Sequence, residues 1–238
     1  MPVTMGEAFG GGAFGGSRAF GASVDHFVFC DVDETLISFE SIVDFFPYYF
    51  DGPPGSRLRD AHDKCLAPLL KMVRQGAPRE TLNRTYYGAY AGETVVEVHA
   101  SGKRWHDERE AREGFYVPAI REALAAHRRA GADIVLVSGS FAPLLDPIAA
   151  AVQARAVLAT RLFVREGRYT GEIDVPMIGH HKADAVRAVL AEHPEVDPRR
   201  CYAYGDHPTD VPMLACVGRP VVVGSDPELR AWAESRGA

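Results

Sequence analysis

Short apolar runs that end in polar side chains are the dominant pattern along this chain. The first run covers residues 27–30, reads Phe-Val-Phe-Cys, and leads directly to Asp31 and Asp33. A short run rich in aromatic and β-branched residues predicts a buried strand. In an extended chain, residues i and i+2 point the same way, so both carboxylates can reach one site. An acidic turn without further function is the alternative, because Asp is common where strands end.

Two later predicted strands end in the same manner. The apolar residues 134–137 lead to Ser138 and Gly139, a hydroxyl beside a glycine that allows close backbone approach, which suits a phosphate oxygen. A further predicted strand leads to Asp206, and Asp210 follows four residues later. Ligands of open α/β sheets bind at the carboxyl ends of the strands. These strand ends therefore predict a single site.

Lys182 lies where a cation is unfavourable. Apolar residues at helical spacing over 185–190 predict a helix that begins close to Gly179, which places Lys182 in its first turn. The helix dipole disfavours positive charge at this end. We therefore expect Lys182 to contact an anionic group in the folded protein.

Taken in order, these segments form four motifs: D-x-D-x-T, a strand ending in Ser, a Lys, and G-D-x-x-x-D. Together they resemble the four motifs of the haloacid dehalogenase superfamily, and the resemblance extends from about Phe27 to Val223. Each motif alone is weakly specific, whereas four in this order are a specific signal. The resemblance implies an α/β fold with a Rossmann-like three-layer α/β/α core around a mainly parallel sheet.

The resemblance also implies a role for each motif residue. Asp31 would be the nucleophile that forms an aspartyl-phosphate, and Asp33 would be the general acid and then the general base. The second Asp favours phosphoryl transfer over carbon–halogen cleavage, because a halide leaving group needs no proton. Lys182 would bridge the nucleophile and a phosphate oxygen. The phosphate-binding group implied in this way consists of Ser138, Gly139, Thr35 and Lys182.

A cation is needed beside so many carboxylates, and Mg²⁺ prefers oxygen ligands. The resemblance implies that Asp31, Asp206 and the backbone carbonyl of Asp33 bind Mg²⁺, while Asp210 orients Lys182 or a metal-bound water from behind. These expectations describe a magnesium-dependent phosphatase of a small phosphomonoester. A phosphotransferase that uses the same aspartyl-phosphate is the alternative, and a non-catalytic phosphate-binding module is a further one.

More than a hundred residues separate Asp33 from Ser138, far more than one crossover connection requires. Helical patterns over 56–74, 79–90 and 93–113 predict an inserted α-helical cap, which resembles the C1 cap of the phosphoserine-phosphatase-like branch, subfamily IB. The predicted division is a flexible Gly-rich tail over 1–24, a catalytic core over 25–47 and 115–238, and the helical cap over 48–114.

Two residues outside the motifs are candidates for substrate specificity. Arg84 lies beside aromatic residues in the predicted cap and suits a second anionic group such as a carboxylate, although a solvated basic helix face is the alternative. Glu40 lies nine residues after Asp31, where phosphoserine phosphatases resemble this chain in placing an acid that holds the substrate amine. Phosphoserine is therefore one candidate substrate among several small metabolites.

Composition agrees with a small-molecule enzyme. The 238 residues are 47% hydrophobic, enough for a full α/β core with one accessory unit. The formal net charge of −6 argues against a nucleic-acid-binding surface. No apolar run is long enough to span a membrane. We therefore expect a cytoplasmic enzyme with no nucleic-acid or membrane partner, and the sequence leaves its oligomeric state open.

Overall fold

The computed structural model describes residues 24–51 and 57–236. Apart from Val24, the tail predicted over residues 1–24 lies outside these ranges. The described part contains seven strands, which are β1 (His26–Cys30), β2 (Ala132–Ser138), β3 (Ala156–Ala159), β4 (Leu162–Arg165), β5 (Arg168–Ile173), β6 (Tyr202–Gly205) and β7 (Arg219–Val222).

Five of these strands form one sheet in the order β3-β2-β1-β6-β7, and every neighbouring pair in it is parallel. The strand that precedes the first acidic motif, β1, lies at the centre between β2 and β6. Because the strands are parallel, their carboxyl ends meet at one edge of the sheet. The α/β fold with a mainly parallel sheet is confirmed.

Both faces of the central strand are buried. Val28 and Cys30 belong to one hydrophobic cluster, and Phe27 and Phe29 belong to a second one on the opposite face. All four side chains are inaccessible to solvent. Complete burial of a side chain such as Phe contributes roughly 1.5–3 kcal/mol, so this strand is among the best-anchored parts of the core.

The helices of the described residues cover the sheet and fill the long insertion. Their bounds are α1 (Ser41–Phe50), α2 (Arg57–Arg74), α3 (Arg79–Gly88), α4 (Val95–Glu110), α5 (Pro118–Arg129), α6 (Ala142–Val152), α7 (His180–Glu192), α8 (Val211–Leu214) and α9 (Pro227–Ser235). Among these helices, none combines the length and the apolar character that crossing a membrane requires.

The three helices predicted in the insertion are present as α2, α3 and α4. Thr94 caps α4 by accepting a hydrogen bond from the Glu97 amide at 3.2 Å, which explains why this helix begins later than predicted. Helix α1, which precedes them, was not predicted. Its range includes residue 48, so the predicted start of the cap falls inside a helix, and the division into core and cap stays a prediction.

Aromatic side chains join the insertion to the core. The rings of Tyr87 in α3 and of Tyr90, two residues after the end of this helix, each lie 5.2 Å from the ring of Phe141, which directly precedes α6. The Phe45 ring of α1 lies 5.9 Å from that of Trp105 in α4. All five side chains are almost completely buried. The insertion is therefore packed firmly over the carboxyl edge of the sheet, where the motifs lie.

Strands β4 and β5 pair antiparallel and form a hairpin. Glu166 and Gly167 at its turn have φ angles of 51° and 72°, the left-handed conformation that a tight hairpin turn requires. Tyr169 in β5 exchanges backbone hydrogen bonds with Gly92 and Glu93, at 2.8 and 2.9 Å. These bonds tie the hairpin to the connection between α3 and α4.

Candidate active site

The three strand ends that carry the predicted site residues are neighbours. Asp31 follows β1, Ser138 ends β2 and Asp206 follows β6. The Asp31 amide continues the sheet pairing by donating to the Tyr204 carbonyl at 3.0 Å. The first carboxylate therefore leaves the sheet from a backbone position that its neighbour fixes.

Lys182 has the anionic partners that its helix position predicts. Its Nζ lies 2.7 Å from an Asp31 carboxylate oxygen and 2.7 Å from an Asp210 carboxylate oxygen, and all three side chains are buried. Burial lowers the pKa of Lys182, but the two carboxylates raise it more, so the net shift is upward. The lysine is therefore charged at neutral pH. Burial raises the pKa of Asp31, and Lys182 opposes that shift.

Three carboxylates come together around this lysine. Asp31, Asp206 and Asp210 each offer an oxygen within 4.8 Å of the others. Thr35 is fully buried and donates to an Asp206 oxygen at 2.8 Å. The sequence analysis assigned Thr35 to phosphate binding. In the structure Thr35 holds a carboxylate and is not among the residues that line the cavity described below, and its assignment to phosphate binding stays a prediction.

The segment after Asp206 holds Asp210 in place. The His207 amide donates to Asp210 Oδ2 at 3.3 Å, and the His207 ring accepts from the Thr209 amide at 3.1 Å. Gly205 lies directly against Asp210. A Cβ atom at Gly205 would lie 2.8 Å from the Asp210 Cβ and 2.9 Å from its Oδ2, closer than real Cβ contacts. Only glycine therefore fits this strand end.

Gly205→Ala tests how tightly Asp210 must be held. The added methyl group forces Asp210 to move, and Lys182 then loses part of its anchor. We expect a loss of about 10- to 100-fold in kcat/KM and about 1–3 kcal/mol of unfolding free energy, measured by steady-state kinetics and urea denaturation. Gly88→Ala is the matched control, because no atom lies within 4 Å of a Cβ there. Wild-type behaviour of Gly205→Ala would contradict this account.

Asp33 is positioned by the start of α1. One of its carboxylate oxygens accepts a hydrogen bond from the Ser41 amide at 2.9 Å. Burial raises the pKa of Asp33 to about 7, although the bond from Ser41 opposes the shift. A carboxyl group with such a pKa is partly protonated at neutral pH, so it can both give and take a proton.

The end of β2 is held by several hydrogen bonds. Ser138 is buried, and its hydroxyl accepts a bond from the Ser140 amide at 3.0 Å. The Gly139 carbonyl accepts from Asn83 Nδ2 at 3.0 Å, the Tyr87 hydroxyl at 2.9 Å and the Thr160 hydroxyl at 2.8 Å. A carbonyl group with three donors has one fixed orientation. The orientation of the Gly139 peptide, which is expected to face a phosphate, is therefore fixed by side chains of α3 as well as by the sheet.

Apart from Thr35, the motif residues line one cavity of about 590 Å³. Its volume lies within the range of about 300–1,000 Å³ that is typical of small-molecule sites. Helices α1, α2 and α3 form most of its walls, mainly with apolar side chains. Its polar floor consists of Asp31, Asp33, Ser138, Gly139, Lys182, Asp206 and Asp210.

The two predicted specificity residues have different outcomes. Glu40 does line the cavity, where it forms an ion pair with Arg79. Arg84 does not line it, and instead donates to the Ile173 carbonyl at 3.3 Å. The structure therefore moves the basic residue of the cavity from Arg84 to Arg79.

Sequence reasoning missed Arg79 and Asn83. Arg79 is the first residue of α3, where the helix dipole disfavours a cation, so the signal that identified Lys182 could have identified it too. Asn83 is 4% exposed and lines the cavity, and its Oδ1 has no hydrogen-bond partner among the described residues. Nothing in the sequence distinguishes Asn83 from other polar helix residues.

Comparison with known proteins agrees with the motifs. Residues 28–215 match the family model of the haloacid dehalogenase-like hydrolases. A Mycobacterium tuberculosis protein named a probable phosphatase is 34% identical over 218 residues, which cover 88% of this chain and 72% of that relative. The match therefore includes the inserted helices as well as the sheet.

Solved structures share the fold. A Bordetella pertussis protein of unknown function is 26% identical with a TM-score of 0.75, over 90% of this chain and 97% of its own. A phosphoserine phosphatase solved as a phospho-aspartyl intermediate analogue is 18% identical with a TM-score of 0.60, over 88% and 91% of the two chains. The second likeness concerns the fold alone. The resemblance inferred from the four motifs is confirmed, and the chain belongs to the haloacid dehalogenase-like hydrolases.

Proposed function

We propose that this enzyme is a magnesium-dependent phosphatase that hydrolyses a phosphomonoester through a phosphate bound covalently to Asp31. The contact between the buried carboxylate of Asp31 and Lys182, on the floor of a cavity, carries the proposal. Asp33 and Ser138 line the same floor. The name of the Mycobacterium tuberculosis relative, a probable phosphatase, supports the same reaction.

In the first step an Asp31 oxygen attacks phosphorus, and the bond from phosphorus to the alcohol oxygen breaks. Asp33 gives its proton to the departing alkoxide. The raised pKa of Asp33, about 7, keeps part of this group protonated near neutral pH. Lys182 offsets negative charge on Asp31 and on the phosphate, which otherwise repel each other.

In the second step a water molecule attacks the phosphorus of the aspartyl-phosphate. Asp33, now ionised, takes a proton from that water, and the bond between phosphorus and Asp31 breaks. Inorganic phosphate leaves and both carboxyl groups return to their starting states. The Ser41 amide holds Asp33 in one orientation for both transfers. The helices over the cavity limit access of other water.

The acidic cluster fits Mg²⁺, because hard carboxylate oxygens are the ligands that this ion prefers. Asp31 and Asp206 would hold it with the Asp33 backbone carbonyl, and Asp210 is close enough to take part. When bound, the ion neutralises phosphate charge that the carboxylates would otherwise repel. Thr35 supports this set through its bond to Asp206.

The acceptor of the phosphate distinguishes a phosphatase from a phosphotransferase. A phosphotransferase would pass the same phosphate from Asp31 to an alcohol instead of water. Phosphoserine stays a candidate, since Glu40 and Arg79 offer charges that suit an ammonium and a carboxylate group if their ion pair opens.

A panel of phosphomonoesters tests the reaction class. Phosphoamino acids, sugar phosphates, nucleotides, alkyl phosphates and p-nitrophenyl phosphate are incubated with Mg²⁺ or with EDTA, and released phosphate is measured. We expect phosphate release that requires Mg²⁺. With p-nitrophenyl phosphate and an added alcohol acceptor, a transferase would release more p-nitrophenol but less inorganic phosphate, because the phosphate passes to the alcohol. If folded protein with Mg²⁺ releases no phosphate from any compound of the panel, the proposal is contradicted.

Asp33→Asn separates the role of this residue from that of the nucleophile. Alkyl phosphates need a proton on the leaving oxygen, so we expect their turnover to fall about 100- to 10,000-fold. The p-nitrophenolate ion leaves without a proton, so p-nitrophenyl phosphate should still give a rapid burst of nitrophenol, followed by slow hydrolysis of the aspartyl-phosphate. Stopped-flow absorbance measures both phases. Equal loss of the burst and of alkyl turnover would refute the proton-donor role.

A further inference from the structure

The cavity above the polar floor has apolar walls. Side chains from α1, α2 and α3 face it, among them Val43, Phe46, Leu69, Leu70, Val73 and Leu82. A volume of about 590 Å³ corresponds to roughly 20 water-sized groups, well above the number of non-hydrogen atoms in phosphoserine. A small zwitterion would leave much of this apolar wall facing water.

Three of the apolar side chains that line the cavity are also exposed to solvent. Val43 is 66% exposed, Leu70 is 47% exposed and Val73 is 58% exposed. They lie on α1 and α2, so the apolar surface continues from the interior of the cavity to its mouth. Clustered apolar exposure of this kind marks a binding surface, whereas scattered single residues do not. Its continuity with the polar floor points to the substrate as the group that covers it.

Two charged residues of the wall already have a partner. Glu40 and Arg79 pair with each other, so neither requires a charge on the substrate. A zwitterionic substrate could bind these two groups only after their ion pair breaks, which costs the free energy of that pair. An apolar group can bind beside the intact pair. Apart from Asn83 Oδ1, which has no partner among the described residues, the polar groups that face a ligand are those of the polar floor.

We propose that the substrate is the phosphomonoester of an apolar alcohol, with its phosphate against Asp31 and its hydrocarbon part along α1 and α2. This inference rests on the proposed phosphatase function and specifies its substrate class. The hydrocarbon contacts Phe46 and Leu69 inside the cavity and reaches Leu70 and Val73 at the mouth. Each buried methylene contributes to affinity, so preference rises with chain length until the chain leaves the mouth.

A series of n-alkyl phosphates from ethyl to decyl, each below its micelle concentration, tests the chain-length dependence. We expect kcat/KM to rise about two- to fourfold for each added methylene before it levels off. Phosphoserine should be turned over less efficiently than hexyl phosphate. A flat series together with efficient hydrolysis of phosphoserine would overturn this inference and leave the phosphatase proposal intact.

Variants at the mouth locate the effect. Leu70→Ser and Val73→Ser, singly and together, should lower the ratio of decyl to ethyl kcat/KM, by about tenfold in the double variant. Val96→Ser is the matched control, since Val96 is 78% exposed on α4 and does not line the cavity. It should leave the whole series unchanged. An unchanged ratio in the double variant would overturn the assignment of this surface to the hydrocarbon chain.

Measurements of ligand binding test the apolar site independently of catalysis. Non-hydrolysable n-alkyl phosphonates are titrated into the wild-type protein with Mg²⁺, and heat or thermal shift is measured. Affinity that rises with chain length supports the apolar substrate even if no phosphate is released from any ester. Affinity that is independent of chain length overturns it, whatever the outcome of the phosphate-release panel.

Discussion

Asp31→Asn is expected to lower turnover of every substrate by about 10⁴- to 10⁶-fold, the scale seen when a covalent nucleophile is removed. An amide oxygen is a poor nucleophile, so the aspartyl-phosphate cannot form. The substitution keeps the size of the side chain, and Lys182 retains its 2.7 Å contact with Asp210. The protein should therefore stay folded, and the loss should appear in kcat rather than in KM.

Trapping the covalent phosphate makes this result specific. Wild-type enzyme is mixed with a radiolabelled phosphomonoester and quenched in acid, and we expect protein-bound label that hydroxylamine removes, as it does from acyl phosphates. Asp31→Asn should carry no label. Asp184→Asn is the matched control. Asp184 lies on α7 and is exposed to solvent, unlike the buried carboxylates of the cavity floor, and it pairs with Arg187. Labelling of Asp31→Asn at the wild-type level would assign the nucleophile elsewhere.

The polar floor of the cavity could be predicted because its residues follow signals that are local in the sequence. Asp31, Ser138 and Asp206 each terminate a strand that is recognisable from a short apolar run, and parallel strands bring their carboxyl ends to one edge. Lys182 had an independent signal, a cation at the wrong end of a helix. Its 2.7 Å contacts with two carboxylates confirm the expectation that Lys182 has anionic partners in the folded protein.

The walls of the cavity could not be predicted in this way. Arg79 and Arg84 lie five residues apart on α3, which places them about 140° apart around the helix axis. Only the packing of α3 decides which side faces the cavity. That packing depends on contacts such as that of Tyr87 with Phe141, more than fifty residues away in the sequence. The position of Arg79 at the helix start predicts an anionic partner, but no local pattern predicts which side of α3 faces the cavity.

Helix α1 was missed for a related reason. It contains Pro47 and is dense in aromatic residues, features that locally resemble a loop or a strand more than a helix. Long-range packing overrides this preference, since Phe45 and Phe50 are completely buried. The start of α1 also supplies the amide that binds Asp33. A helix that was invisible in the local pattern therefore orients the proposed general acid.

Lys182→Met is expected to have the largest effect on stability. Lys182 is the cation between Asp31 and Asp210, and methionine fills a similar volume without the charge. Breaking a buried ion pair in this way leaves uncompensated carboxylates and costs about 3–5 kcal/mol. Chemical denaturation at neutral pH without divalent ions measures the loss. Arg187→Met on the same helix is the matched control, because its exposed pair with Asp184 contributes about 0–1 kcal/mol.

The pH dependence identifies the cause of that loss. Burial already raises the pKa of Asp31 in the wild-type protein, and removal of the ammonium group raises it further. A carboxyl group whose folded-state pKa lies above its unfolded value, about 4, destabilises the fold only as pH rises above that value. The difference between Lys182→Met and wild type should therefore be small near pH 4 and grow toward pH 7. Mg²⁺ should restore part of the stability at pH 7, because a cation again lies between the carboxylates. A deficit that is independent of both pH and Mg²⁺ would mean that Lys182 stabilises the fold by packing rather than by charge.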